Sequence, residues 1–228
     1  MPKLSKRAAA NGQIAEKGPD GPRPIAEAVK TLKSFKGPRF DQSIEVAVHL
    51  GIDPRQAEQQ LRGSITMPNG VGRTARVVCF CNPDLVKDAT EAGAVEAGSE
   101  DLIKKIQDGW MDFDVAVAAP DMMRLVSKLG RTLGPKGLMP SPKAGTVTPQ
   151  VAKAVREYSA GKAEYRNDDG GNIHCVVGKM SFPDEDIVEN FEHFMATIDR
   201  IRPAATKGQY IKKCVISGTM TPGVEVMV

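Results

Sequence analysis

Two apolar runs, "ARVVCF" (Ala75–Phe80) and "FDVAVAAP" (Phe113–Pro120), set the reading of this chain. Neither alternates with polar residues, the pattern of parallel strands covered on both faces. Helix-like segments separate and follow them. Asn82 stands at a cap position with Pro83 at the first helical place, and Gly93 marks the stop. "GSEDLIKKIQD" (Gly98–Asp108) puts acids in its first turn and carries the apolar set Leu102, Ile103 and Ile106. Asp121 can cap "MMRLVSKL", which stops at Gly130. Thr148 and Pro149 open "VAKAVREYSA", which stops at Gly161. Strand alternating with helix predicts an α/β layer with a parallel sheet, from Val71 to Tyr158.

The flanking pieces read differently. After Pro24, Ile25, Val29 and Leu32 recur at helical spacing. In "DQSIEVAVHLGI", Ile44, Val46, Val48 and Leu50 alternate with Ser43, Glu45, Ala47 and His49, which predicts a half-buried strand. Towards the other end, "AEYRN" and "NIHCVVGKMSF" flank Asp168-Asp169-Gly170-Gly171, a hairpin signal. Ile187, Phe191, Phe194, Ile198 and Ile201 mark a long amphipathic helix that stops before Pro203. "QYIKKCVISGTM" reads as a last strand. Each flanking piece is too small for a core of its own. The expected organisation is therefore a discontinuous α+β domain, residues 1–70 and 159–228, with an α/β domain, 71–158, inserted. A length of 228 residues suits two domains.

Composition excludes more than it assigns. No apolar run approaches the roughly 20 residues of a membrane helix. The opening "MPKLSKRAAANGQIAEKGPDGPRP" lacks the apolar centre of a secretory signal, and reads as a frayed tail or a basic arm through Lys3, Lys6 and Arg7. Cys79 and Cys81 share one strand face. Without a second close Cys or His pair, buried free thiols in a reducing cytosol are expected rather than zinc. The three histidines form no nucleophile or metal pattern, and "MPNGVGRT" misses phosphate-loop spacing. Asp168 and Asp169 suit turn formation. Neither catalysis nor a cofactor is expected.

Polyanion binding fits better. A net charge of +3 is modest, so local clustering is what matters. Arg124, Lys128, Arg131, Lys136 and Lys143 follow one another without an intervening acid. "LGPKGLMPSPKAGTV" (Leu133–Val147) reads as a stiff basic loop whose bare backbone can approach phosphates. In "KGPRFDQSIE", Phe40 beside Arg39 can stack on a base or cap the core. "SGTMTPG" offers small hydroxyls at a strand end, suited to ribose 2′-hydroxyls or simply to a turn.

Together, "LGIDPR…QQLRGSITMPNGVGR", "GWMDFDVAVAAPDMM", "KLGRTLGPKGLMPSPKAGTVTP", "YRNDDGGNIHCVVGKMSF" and "GQYIKKCVISGTM" resemble, in order from about Arg39 to Gly223, the bacterial type of the large-subunit ribosomal protein one family. The resemblance implies an α+β terminal domain carrying a Rossmann-like insert. It implies a cytoplasmic protein, a monomer within the ribosome, bound to large-subunit ribosomal RNA at a mobile stalk near the tRNA exit site. Assistance in releasing deacylated tRNA, and repression of its own operon mRNA, are implied too. Carried over by motif, the RNA-binding residues are Arg39, Phe40, Ser43, Glu45, Arg166, Lys179, Thr219, Met220 and Thr221. A second surface towards RNA or tRNA comprises Arg131, Lys136 and Lys143. Thr221 stands where the family usually has glycine, and the first two dozen residues depart from its pattern.

Overall fold

The computed structural model describes residues 5–17 and 21–228. Lys3 of the expected basic arm lies outside them. Helices α1 (Lys6–Lys17) and α2 (Ile25–Ser34) precede strands β1 (Ser43–Leu50) and β2 (Arg62–Thr66). Next come β3 (Val77–Phe80), α3 (Val86–Glu91), β4 (Glu96–Gly98), α4 (Glu100–Gln107) and β5 (Val115–Ala118). Short helical turns α5 (Met123–Val126) and α6 (Gly130–Leu133) lead to α7 (Val151–Ser159). Strands β6 (Lys162–Arg166) and β7 (Asn172–Lys179), helix α8 (Asp184–Arg200), and strands β8 (Ile211–Gly218) and β9 (Val224–Val226) follow. The chain is thus mixed α and β, with several sheets.

The chain forms two compact units: residues up to Gly72 with Tyr165–Val228, and Arg73–Glu164. In the first, a four-stranded sheet has the order β7-β1-β8-β9. β1 is antiparallel to both β7 and β8, with Val46 opposite Cys175 and Ile216. Alternation puts Ile44, Val46 and Val48 on one face, fully buried with Ile173, Val177 and Ile216. Helices α2 and α8 cover that face with Val29, Leu32, Ile187, Phe194 and Ile198. β9, too short for a periodic signal, pairs with β8.

In the second unit β3 lies between β4 and β5, parallel to both. All four residues of β3 are buried, which explains why its sequence does not alternate. Glu96–Gly98, three half-buried residues, carries no periodicity to read; backbone pairing with β3 makes it a strand.

Several local expectations are corrected. The opening segment is not frayed over Lys6–Lys17, where it forms α1. Neither Asn82 nor Asp121 makes a side-chain cap bond; a 3₁₀ turn starts at Pro83 and another at Pro120. Gly130 caps the end of a 3₁₀ turn, Ser127–Leu129, as expected, and at the same time begins α6. Leu133–Val147, read as a stiff loop, is held by packing and by the sheet. Leu133 and Ala144 are buried, the Tyr158 hydroxyl donates to the Ala144 carbonyl (2.6 Å), and Val147 bridges Ala118 in parallel at the sheet edge. The predicted hairpin also diverges after one bridge, Asn167 with Ile173. Asn167 turns to Leu61, donating to its carbonyl (3.0 Å) and accepting its amide through Oδ1 (2.8 Å), so β6 joins β2 in a separate sheet.

Candidate nucleic-acid interface

At one end of the four-stranded sheet three strand termini stand side by side. Ser43 opposes Lys179, and Ile44 opposes Gly218. The chain enters β1 through Lys36–Gln42 and leaves β8 through Thr219–Thr221, so the sheet brings together segments far apart in sequence. Backbone and side chains tie them. Ser43 donates its amide to Thr219 Oγ1 (3.2 Å), and the Thr219 amide donates to the Ser43 carbonyl (3.1 Å). Lys179 Nζ donates to Ser43 Oγ at 2.9 Å.

Gln42, which sequence reasoning passed over, organises this rim. It is 4% exposed, its Oε1 accepts the Met220 amide (2.8 Å), and its carbonyl accepts the Met180 amide (2.9 Å). Asp41 accepts from the amide (3.2 Å) and hydroxyl (2.8 Å) of Ser181. A polar residue preceding a strand gives no signal of burial; burial arises where three loops meet. A Cβ at Gly218 would lie 2.7 Å from Met180 Cε and from Thr221 Oγ1, so any side chain there would force both to shift.

Above this polar base, Arg39 is exposed, and Phe40 and Met220 expose 55% and 50% of their surface. Large apolar side chains left in water beside cations fit stacking on bases next to phosphates. Glu45 is exposed on the sheet face turned away from the helices, with Ser217 opposite it on β8. Its carboxylate can accept from base amino groups or 2′-hydroxyls.

A family model described as the ribosomal protein L1p/L10e family matches residues 32–222. The chain belongs to the ribosomal protein L1 family. Such proteins are structural constituents of the large ribosomal subunit that bind ribosomal RNA. In this L1-family chain Thr221 has no positive φ, so glycine is not required by backbone conformation. Its Oγ1 instead accepts the Gly218 amide (2.9 Å) and fastens the turn.

Arg166 is not brought to the rim. It is exposed on β6 next to Asn167, which bridges Ile173. From Ile173 to Lys179 β7 runs six residues, about 20 Å. Arg131, Lys136 and Lys143 are exposed on the second unit. Burial pushes the Cys175 and Cys214 thiols up to about 12, and raises those of Cys79 and Cys81, so none is a poised nucleophile. His49 Nδ1 lies 2.8 Å from Asn172 Oδ1, and His174 Nε2 lies 3.8 Å from Asp168 Oδ2. Among the described residues no helix is long and apolar enough to cross a membrane.

Proposed function

We propose that this chain grips large-subunit ribosomal RNA through the rim of its four-stranded sheet, at the mobile stalk near the tRNA exit site. Phe40 stacks on a base, Arg39 and Lys179 face phosphates, and Ser43, Glu45, Thr219 and Met220 read the groove, with Thr221 shaping the turn. Arg166 serves as an outlying phosphate contact. The second unit is a Rossmann-like insert whose Arg131, Lys136 and Lys143 face deacylated tRNA and help its release. The protein works as a cytoplasmic monomer within the ribosome, and represses its own operon mRNA through an RNA structure similar to its ribosomal site.

One observation carries this reading: Ser43, Lys179 and Gly218 end three adjacent strands together, at the rim from which an exposed Arg-Phe pair and an exposed Met are presented. The test is binding of the full chain to a large-subunit RNA fragment at fixed salt, with mononucleotides as control. Phe40→Ala should weaken RNA binding about tenfold, as base–aromatic stacking contributes about 1–3 kcal/mol, and Met220→Ala should weaken it by several-fold through lost apolar contact. Unchanged affinities, or preference for a mononucleotide, would move the site elsewhere. Co-sedimentation with large subunits, and translation of the operon mRNA with added protein, test the stalk and repressor parts.

A further inference from the structure

Asn11, on α1, is 2% exposed, although it belongs to a segment whose composition is that of a polar tail. Around it Arg7, Ala10 and Ile14 are half-buried, at helical spacing on one face. Its amide grips a single distant residue from both sides. Oδ1 accepts the Lys36 amide (2.8 Å) and Nδ2 donates to the Lys36 carbonyl (3.1 Å). The two bonds imitate one rung of a sheet ladder, made by a side chain.

Lys36 is where the rim begins. Helix α2 has ended at Ser34, and Phe35 is already extended (φ −67°, ψ 145°). From Lys36 the chain runs through Gly37, Pro38, Arg39 and Phe40 to Asp41 and Gln42, which are held by Ser181, Met180 and Met220. The span bearing Arg39 and Phe40 is thus fastened at both ends, with Asn11 forming the first fastening. A loop held at one end samples more conformations, and the cost of ordering it moves into the binding step.

We propose that Asn11 is a positioning residue for RNA recognition, and that α1 is a working part of the RNA site. This rests on the rim reading above. In this role Asn11 acts indirectly, by fixing the take-off of the segment presenting Arg39 and Phe40.

The test uses the full chain and a large-subunit RNA fragment, with Asn11→Ala, Asn11→Asp, Phe40→Ala and the Asn11→Ala/Phe40→Ala double variant. Circular dichroism first shows that each is folded. Asn11→Ala should weaken binding about fivefold, the effect of about one net hydrogen bond. Asn11→Asp keeps the acceptor for the Lys36 amide but sets a buried carboxylate oxygen against the Lys36 carbonyl, and should bind no better than Asn11→Ala. The slope of affinity against salt should fall by less than one phosphate contact, since Arg39 is kept and only its loop is loosened. With Phe40 already alanine, Asn11→Ala should cost about twofold or less, because it acts through that segment. Parent-like affinity of Asn11→Ala, a salt slope reduced by more than one phosphate contact, or fully multiplicative losses would overturn the proposal. If Phe40→Ala itself binds like the parent, the rim reading fails and takes this inference with it. If Phe40→Ala is weak and Asn11→Ala is not, the rim reading stands and this inference falls alone.

Discussion

The Thr219 hydroxyl adds to the backbone and Gln42 bonds that join the ends of β1 and β8 at the rim. Because Oγ1 accepts the Ser43 amide, Thr219→Val keeps shape but strips that exposed amide of its partner. The expected loss of stability is about 1 kcal/mol or less, with water taking the vacated place. RNA affinity should drop at least fivefold, since the strand end that presents Ser43 is loosened. A dissociation constant equal to the parent's at fixed salt would exclude Thr219 from the site. Thr221 offers a complementary case. Thr221→Gly removes the acceptor of the Gly218 amide and adds backbone freedom, so thermal melting should fall by a few degrees, for a cost of about 1 kcal/mol. If melting is unchanged, the hydroxyl does not fasten the turn.

At the scale of the element, the turn between β6 and β7 shows how one carboxylate can set a geometry. Asp168 Oδ1 accepts the Gly170 amide (2.9 Å) and the Asn172 amide (2.7 Å), and Asn172 Nδ2 donates to Oδ2 (2.9 Å). The Asn172 side chain first, then these amides, holds the Asp168 carboxyl below its ordinary value of 3.8. A lowered folded-state pKa means that the ionised form stabilises the turn. That contribution is present above the ordinary value and fades as pH falls through the folded one. Asp168→Ala should therefore melt below the parent at pH 7, and the gap should narrow below about pH 4. Melting curves from pH 7 to pH 3 check this; a gap independent of pH would show that the carboxylate charge is not what holds the turn.

At the scale of the molecule, the two units have separate buried cores. The rim, with its fastenings at Asn11, Gln42, Ser43 and Lys179, belongs entirely to the first unit. Replacing residues 73–161 by a short Gly-rich linker, which keeps β6 to pair with β2, should leave a chain that folds by circular dichroism and binds the RNA fragment, the cost being mainly loop closure. A folded product without specific affinity would mean that RNA recognition requires both units. Correspondingly, Lys136→Ala with Lys143→Ala in the full chain should leave binding to the isolated ribosomal RNA fragment within about twofold. A loss of tenfold or more would bring the second unit into the primary RNA surface.

Periodicity carried much of this organisation. The alternation of Ile44, Val46 and Val48, the unbroken run Val77–Phe80, and the spacing of Ile187, Phe191, Phe194 and Ile198 each state which faces are buried, because burial follows side-chain direction along a regular backbone. Short elements escaped: β4 and β9 have three residues each, and pairing partners, not composition, make them strands. The turn at Asp168–Gly171 does not lead into a full hairpin for a related reason, since its turn chemistry is local while the path of Asn167 is decided by Leu61, remote in sequence. Motif resemblance named Phe40 and Thr219, but Gln42 and Asn11 carry no sequence signal, being polar residues buried by the meeting of distant segments. Only the tertiary structure decides such positions: an amide side chain becomes a fixed strut when another part of the chain excludes water around it and offers matching backbone groups.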